Sequence, residues 1–251
     1  MSIADKLTTI AENMQKVYEA GKMAGSGDSY YDEFWDTLQQ NGTKKNYVFT
    51  FAGNGWNAKT FKPKYDIRPT SCRGLFYYGS CAGMDLTEHL NNLGITLDLS
   101  QCTSIQQLFA YGSPKRVPTL DCRGANSIVQ LAAAASVETF DKIVLRDDGS
   151  QTFNQPFGGG STSCTQIINL TLEGVIGQNG FNIGGCANLS KASWISIINA
   201  LSSTTSGLSI TGSLASVKKA FETSEGANDG DTSPEWETLE NTKTNWTINL
   251  I

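Results

Sequence analysis

The fold is decided by a stretch that the chain repeats: LDLSQCTSIQQL at residues 97–108 is followed by LDCRGANSIVQL at residues 120–131. The offset between them is 23 residues, and Leu, Asp, Ser, Ile, Gln and Leu recur at matching positions. A third unit opens at the same offset with Ile143, and a fourth opens with Leu170 after a longer unit. Self-similarity at a fixed period of this length is typical of proteins built from stacked units.

Each unit begins with two apolar residues separated by a variable one. This alternation is typical of a half-buried β-strand whose apolar side chains face inward. The predicted inward pairs are Leu97 and Leu99, Leu120 and Cys122, Ile143 and Leu145, and Leu170 and Leu172. One unit cannot bury such a face alone, whereas stacked units bury a continuous column. The sequence therefore predicts an α/β repeat solenoid whose opening strands lie side by side in one β-ladder, and a period of 23 residues lies within the range of leucine-rich repeats.

Beyond the repeat, the chain resembles the BspA-like branch of the leucine-rich-repeat proteins, and especially the short members encoded by phages and prophages of gut bacteria. The segments that carry the resemblance are residues 3–8 (IADKLT), 31–36 (YDEFWD), 61–66 (FKPKYD), 197–202 (IINALS) and 244–248 (TNWTI). Proteins of this kind tend to accompany tail and host-recognition genes, so the resemblance implies an adhesive role. The leucine pattern departs from that of the family at Cys122 and at Ala132–Ala135, which replace bulkier residues.

Three regions are predicted along the chain: an N-terminal helical segment at 1–45, the leucine-rich-repeat-like solenoid at 46–190, and a C-terminal α/β capping region at 191–251. In the first region the apolar residues follow the a/d spacing of a coiled coil, at Ile3, Leu7, Ile10, Met14 and Val17. Two interpretations stay open. The segment is either one amphipathic helix packed on its own domain or a stalk that joins chains into a homo-oligomer such as a trimer.

The capping region carries local signals for its elements, because serine at an N-cap and proline in the first turn both favour a helix start. The predicted elements are a helix from Ser190 through Leu201, a strand at 207–212, a helix at 214–221, a helix that begins at Ser233-Pro234, and a final strand with Trp246, Ile248 and Leu250 on one face. The acidic residues 222–231 are expected to form a solvated loop.

The sequence favours neither an enzyme nor a metal or cofactor site. The six cysteines are widely spaced and His89 is the one histidine, so a zinc site is not expected. We expect free, mostly buried thiols. Asp147 and Asp148 precede Gly149 and are expected to form a turn. The enzyme class that stays open is a polysaccharide depolymerase with Asp98 and Asp121 as its paired acids.

The candidate binding residues face outward from the repeat strands. If Leu97 and Leu99 face inward, the residues that follow each of them face solvent, and the same holds in later units. The two predicted rows are Asp98, Asp121, Val144 and Thr171, and Ser100, Arg123, Arg146 and Glu173. Tyr78 and Tyr111, which lie in turns, either add aromatic contacts or fill the core. Mixed charge of this kind is typical of a surface that recognises a protein or glycan.

Composition narrows the classes of partner. The net charge of −5 gives no basic excess for nucleic acid, and no apolar run is long enough to span a membrane. The N-terminus lacks the pattern of a secretory signal peptide, so a virion-associated or cytoplasmic location is expected. The sequence thus predicts a non-catalytic, phage-tail-associated adhesion protein that binds a protein or glycan on a bacterial surface. The alternatives are a structural virion component and an intracellular protein that binds host machinery.

Overall fold

The structure, a computed structural model, describes residues 47–50, 66–76, 83–111, 114–159, 164–221 and 233–251. The strands are β1 Tyr47–Thr50, β2 Pro69–Arg73, β3 Ser104–Gln106, β4 Arg116–Val117, β5 Leu120–Asp121, β6 Ser127–Val129, β7 Thr139–Val144, β8 Thr152–Asn154, β9 Asn169–Glu173, β10 Leu208–Gly212 and β11 Trp246–Leu250. The helices are α1 Leu86–Leu93, α2 Lys191–Ala200, α3 Leu214–Phe221 and α4 Pro234–Glu240, with a 3₁₀ turn at Asn241–Lys243.

These elements form a mixed α/β fold in which the strands pair in parallel. Of the helices in the described ranges, none has the length and apolar character needed to cross a membrane. The predicted N-terminal helix and its trimer, Tyr78, Cys81 and the acidic loop at 222–231 lie outside the described residues.

The first sheet, here called the hydroxyl–amide sheet, has five strands in the order β1-β2-β3-β6-β8. Its register aligns Ile105 with Ile128 and Ile128 with Phe153, and all three side chains are buried. Polar residues flank Ile105 and Phe153, whereas Ser127 and Val129 flank Ile128, so the outer face of these strands is polar except at Val129. This sheet was not predicted from the sequence, although Ser-Ile-Gln and Ser-Ile-Val occur at equivalent positions of the repeat.

The second sheet, here called the charged sheet, holds the opening strands of the units. Its central strand is β7, which pairs with β4 and β5 on one edge and with β9 on the other. Leu120 aligns with Ile143, as the repeat predicts, and Arg116 aligns with Thr139. Polar and apolar residues alternate along β9, whose Leu170 and Leu172 face the core. The pairing predicted between the second and third units is therefore confirmed.

The single ladder predicted from the sequence is interrupted at the first unit, and at the fourth unit the strands lie side by side in a different register. Leu97 pairs with Ile67 through an isolated parallel bridge, and within the described ranges it has no strand pairing with Leu120. At the other end, a bulge in β7 aligns Phe140 with Leu170 and Ile143 with Leu172. A bulge adds one residue to one strand of a pair. Phe140 and Ile143, three positions apart in β7, can therefore align with Leu170 and Leu172, which are two positions apart in β9. The fourth unit is consequently shifted from the predicted register.

The core between the two sheets contains a chain of aromatic rings. The ring of Phe109 stacks on that of Phe76, with centroids 5.2 Å apart. The ring of Phe140, which comes from the charged sheet, lies 6.2 Å from Phe109 and 5.7 Å from Phe157. Ala132 is fully buried on the hydroxyl–amide side and corresponds to Phe109 in the repeat. Phe140 therefore joins the rings of Phe109 and Phe157 across the core.

The five described cysteines are free and buried, as the sequence analysis expected. The sulfurs of Cys72 and Cys102 lie 3.7 Å apart, in neighbouring units. Burial raises the pKa of the Cys164 thiol to about 12 and raises the pKa of Cys186 well above its ordinary value. These thiols stay protonated at neutral pH and pack as small apolar groups.

The C-terminal elements agree with the sequence prediction. The side chain of Ser190 caps α2, and Ser233 with Pro234 begins α4. Strands β10 and β11 form a two-stranded parallel sheet. Helix α2 covers the open edge of β9, where the hydroxyl of Ser193 accepts a hydrogen bond of 2.8 Å from the backbone N–H of Leu170. Ser193 thus satisfies an edge donor that no further strand reaches.

Candidate functional site

The outer face of the charged sheet holds most of the residues predicted to bind. Asp121 lies at the end of β5, where its carboxylate accepts hydrogen bonds from the backbone N–H and the guanidinium of Arg123. The shortest contact, from Nη2 to Oδ2, is 2.6 Å. The guanidinium, followed by that backbone N–H, lowers the pKa of the Asp121 carboxyl. The pair therefore presents a fixed anion beside a cation whose side chain is 58% exposed.

Asp98 repeats part of this arrangement in the preceding unit. Its Oδ1 accepts a hydrogen bond from the backbone N–H of Ser100, and its Oδ2 lies 3.4 Å from Nε of Arg68. An aspartate that bonds the N–H two residues ahead stabilises a turn. Asp98 and Asp121 therefore have a structural use that the sequence analysis did not foresee, and this use explains why Leu-Asp recurs.

Arg146 holds the neighbouring turn together. Its guanidinium donates to the carbonyls of Arg123 and Gly124 and to the side-chain oxygen of Asn126. The buried side chain of Gln151 donates to two more carbonyls of the same turn, those of Cys122 and Ala125. These contacts tie the third unit to the second and leave the Arg146 side chain only half exposed.

Thr171 and Glu173 face solvent as predicted, but their predicted neighbours are wrong. Glu173 aligns with Val144 instead of with Arg146, and Thr171 lies opposite the bulge. Val144, expected on the surface, is 9% exposed. The bulge in β7 causes the shift because the core residues on either side of it set the register. It also brings Lys142 beside Glu173, with Nζ 2.7 Å from Oε2.

Tyr111 is 43% exposed and lies in a turn with a φ of 53°. A positive φ is uncommon for a tyrosine and is retained only where the surrounding structure enforces it. Its backbone N–H bonds the carbonyl of Ala133 in the next unit, which fixes the turn. Of the two alternatives left open by the sequence, surface contact and core filling, the structure places Tyr111 at the surface.

Three charged residues of this face, Arg116, Asp141 and Lys142, were not predicted from the sequence. Arg116 of β4 donates from Nε to Oδ1 of Asp141 in β7 at 2.6 Å, and its Nη1 lies 3.6 Å from Asp85. Lys142 is the third. Arg116 and Thr139 are separated by the repeat offset, which could have placed β4 beside β7. The alternation of the strands gave no sign of Asp141 and Lys142, because both lie in the bulge.

A groove borders this face at the gap between Leu97 and the start of β5. It has a volume of about 290 Å³ and lies between helix α1 and the charged sheet. The lining residues are Thr87, Leu90, Asn91, Ile95, Thr96, Leu97, Pro118, Thr119 and Asp141. Among the described residues, Leu97 pairs with Ile67 and has no strand pairing with Leu120, and the groove lies beside this gap.

The hydroxyl–amide sheet presents a different surface. Ser104, Ser127 and Thr152 align in one row across its strands. Beside the strands, Gln107, Gln130 and Gln155 occupy equivalent turns with φ of 51°, 48° and 46°. The side-chain amide of Gln107 donates to that of Gln130 at 3.0 Å. The hydroxyl row and the glutamine turns therefore repeat the same chemistry in successive units.

Within the described ranges, no group of three or more His, Cys, Asp or Glu side chains could hold a metal ion. His89 lies in α1, and Asp147 and Asp148 lie in the turn predicted for them. The chain matches no family model, no curated protein and no solved structure. Inferences about function therefore rest on the surfaces described above.

Proposed function

We propose that the chain is a leucine-rich-repeat-like solenoid and a non-catalytic recognition protein. In this proposal it binds a protein or glycan of a bacterial surface through the outer face of the charged sheet. The fold proposal is supported by a common register, since equivalent residues 23 positions apart pair in both sheets, as Ile105 with Ile128 and Leu120 with Ile143. The binding proposal is supported by a contrast between the two outer faces.

That contrast is the observation that carries the binding proposal. Across the charged sheet the aligned residues change from strand to strand: Arg116, Thr139 and Asn169 in one row, and Asp121, Val144 and Glu173 in another. Across β3, β6 and β8 of the hydroxyl–amide sheet, the row of Ser104, Ser127 and Thr152 keeps its hydroxyl chemistry, and the turns beside the strands keep glutamine. A second row of this sheet does vary, from Gln106 to Val129 to Asn154. A side chain that packs between adjacent units meets the same neighbour in each unit, so the same residue type is expected at that position in every unit. Exposed positions that vary are available for a partner, and Val144, which is buried, is not one of them.

The charges of this face add little to the stability of the fold. The side chains of Lys142 and Glu173 are 40% and 58% exposed, and those of Arg116 and Arg123 are 48% and 58% exposed. Exposed ion pairs contribute at most about 1 kcal/mol each. Their density on one face is therefore better explained by recognition, where rim charges set specificity and the rate of association.

Binding of the fluorescently labelled full chain to a panel of intact gut bacteria tests the proposal. We expect at least one strain to bind the protein. The double variant Arg123→Ala/Lys142→Ala is expected to lower that binding by about tenfold, because each substitution removes a charge that can contact the partner. The control Ser127→Ala/Thr152→Ala, on the other sheet, is expected to bind as the wild type does. No binding to any strain, or equal binding by both double variants, contradicts the proposal.

The resemblance to phage-encoded adhesion proteins supports a second part of the proposal, that the protein is carried on a phage tail. Mass spectrometry of purified particles induced from a lysogen that encodes the chain tests this part. Peptides of the chain at a stoichiometry matching other tail proteins are expected. Their absence from the particles, together with their presence in the host lysate, favours the intracellular alternative.

A further inference from the structure

We propose that the groove between α1 and the charged sheet binds one neutral sugar ring of a surface glycan. This inference rests on the proposed recognition function and specifies the ligand class and the place of binding. It starts from the groove's position at the edge of the varied face, where a bound ring would continue the surface formed by Arg116 and Asp141.

The groove offers a carboxylate that is already held in position. Asp141 accepts a hydrogen bond of 2.6 Å at Oδ1 from Arg116 and one of 2.8 Å at Oδ2 from the hydroxyl of Thr87. Each carboxylate oxygen has a second acceptor site, so Asp141 can still accept bonds from a ligand. Because both oxygens are held, little conformational entropy is lost when a hydroxyl group binds there.

The remaining lining matches the two-sided character of a sugar. The hydroxyls of Thr96 and Thr119 and the amide of Asn91 can both donate and accept, as the hydroxyl groups of a sugar do. Leu90, Ile95, Leu97 and Pro118 provide an apolar surface for the C–H groups of the ring. A few polar groups set in an apolar lining are typical of small-ligand sites.

Size and charge limit the ligand further. Sites for drug-sized ligands start at roughly 300 Å³, so a volume of about 290 Å³ admits a single ring and not an extended chain. An anionic ligand would lie beside the carboxylate of Asp141, and the nearby guanidinium of Arg116 already pairs with Asp141 and Asp85. A phosphate or an acidic sugar is therefore disfavoured, and a neutral hexose or N-acetylhexosamine residue fits.

The test uses two adjacent asparagines of α1 as matched variants. Asn91 lines the groove, whereas Asn92 is also exposed on the same helix but is not part of the lining. Alanine favours a helix, so neither substitution is expected to lower the thermal midpoint. The full chain and both variants are applied to an array of immobilised neutral and acidic oligosaccharides. Soluble glucose, galactose, mannose and N-acetylglucosamine then serve as competitors.

We expect the wild type and Asn92→Ala to bind the same neutral glycan, and Asn91→Ala to bind it about tenfold more weakly, the loss of roughly one hydrogen bond. Thr119→Val, which removes a hydroxyl at constant shape, is expected to act in the same direction. Binding of acidic glycans only, binding of none, or equal affinity of Asn91→Ala and wild type overturns the inference.

The same variants separate this inference from the proposed function. If Asn91→Ala binds intact bacteria as well as the wild type does, the recognition function stands and the groove is not its site. If the wild type binds a neutral glycan through Asn91 but binds no intact bacterium, the groove inference stands and the recognition function fails.

Discussion

The two sheets share one core but present opposite kinds of surface. The hydroxyl–amide sheet repeats serine, threonine and glutamine from unit to unit, and Gln107 bonds Gln130 along the stack. The charged sheet changes residues between units and pairs its charges across strands, as Lys142 does with Glu173. This difference is the basis of the proposal that the outer face of the charged sheet binds a partner.

The largest loss in the free energy of unfolding is expected at Phe140, whose ring lies in the core that the two sheets share. Phe140→Ala removes a ring from the charged sheet that contacts Phe109 and Phe157, and Ala132 cannot fill the space. We expect a loss of about 3–5 kcal/mol in the free energy of unfolding, as for other buried phenylalanines. Guanidinium unfolding with an unchanged m value measures it. Phe140→Leu is the control and should lose less than half as much; a loss under about 1 kcal/mol for Phe140→Ala would mean that the sheets do not share this ring.

A smaller effect is expected at the edge of the charged sheet. Ser193→Ala leaves the backbone N–H of Leu170 without its acceptor beneath α2, where Ser193 is 2% exposed. An unsatisfied buried donor costs about 1–3 kcal/mol. Hydrogen exchange at the Leu170 amide should accelerate in step with the loss of stability. Ser136→Ala, at an exposed position, serves as control and should change neither; unchanged exchange in Ser193→Ala would contradict the edge-capping role.

At the turns of the hydroxyl–amide sheet, the free energy of unfolding is expected to depend more on backbone strain than on charge. Gln130→Ala removes the bond from Gln107 but keeps a side chain at a φ of 48°, and we expect a loss of about 0.5–1.5 kcal/mol. Gln130→Gly removes the same bond and relieves the left-handed strain. The glycine variant should therefore be the more stable of the two by about 0.5–1 kcal/mol in urea unfolding. The reverse order would show that the turn is not strained.

The smallest effect concerns the charged sheet and depends on pH. The pKa of Asp121 is lowered in the folded chain, so its contribution is present above the unfolded pKa of about 3.9 and is lost as the pH falls through the folded value. Because the Arg123 side chain is 58% exposed, we expect at most about 1 kcal/mol. Urea unfolding of the wild type and of Asp121→Asn is measured from pH 7 to pH 2. Their free energies of unfolding should differ most at pH 7 and become equal at the acid end. A difference that grows towards acid would reverse the assigned sign.

Local signals in the sequence predicted the C-terminal elements well. Ser190 and Ser233 act as N-caps because a serine side chain bonds a free N–H of the first turn, and that interaction needs no tertiary partner. The repeat offset likewise predicted the pairing of Leu120 with Ile143. Both predictions depend on residues that are at most about one repeat unit apart in the sequence.

Features that depend on distant partners could not be predicted. The position of Glu173 depends on a bulge in β7, and a bulge leaves the apolar pattern of β9 unchanged. The groove lies where the first and second units do not pair, and the repeated sequence had predicted that Leu97 and Leu120 would lie side by side. The hydroxyl–amide sheet was missed for another reason: its strands in the first and second units are three residues long, too short for alternation to stand out from a loop.

The buried cysteine thiols can serve as chemical reporters at successive positions along the stack. Cys72, Cys102, Cys122, Cys164 and Cys186 come from successive parts of the chain and are 0–1% exposed. A thiol reagent reaches such a group only when its surroundings open, so the labelling rate of each cysteine measures the free energy of local opening at its level. Mass spectrometry of the labelled peptides would thus show whether the protein opens from one end or as a single cooperative unit, without any substitution.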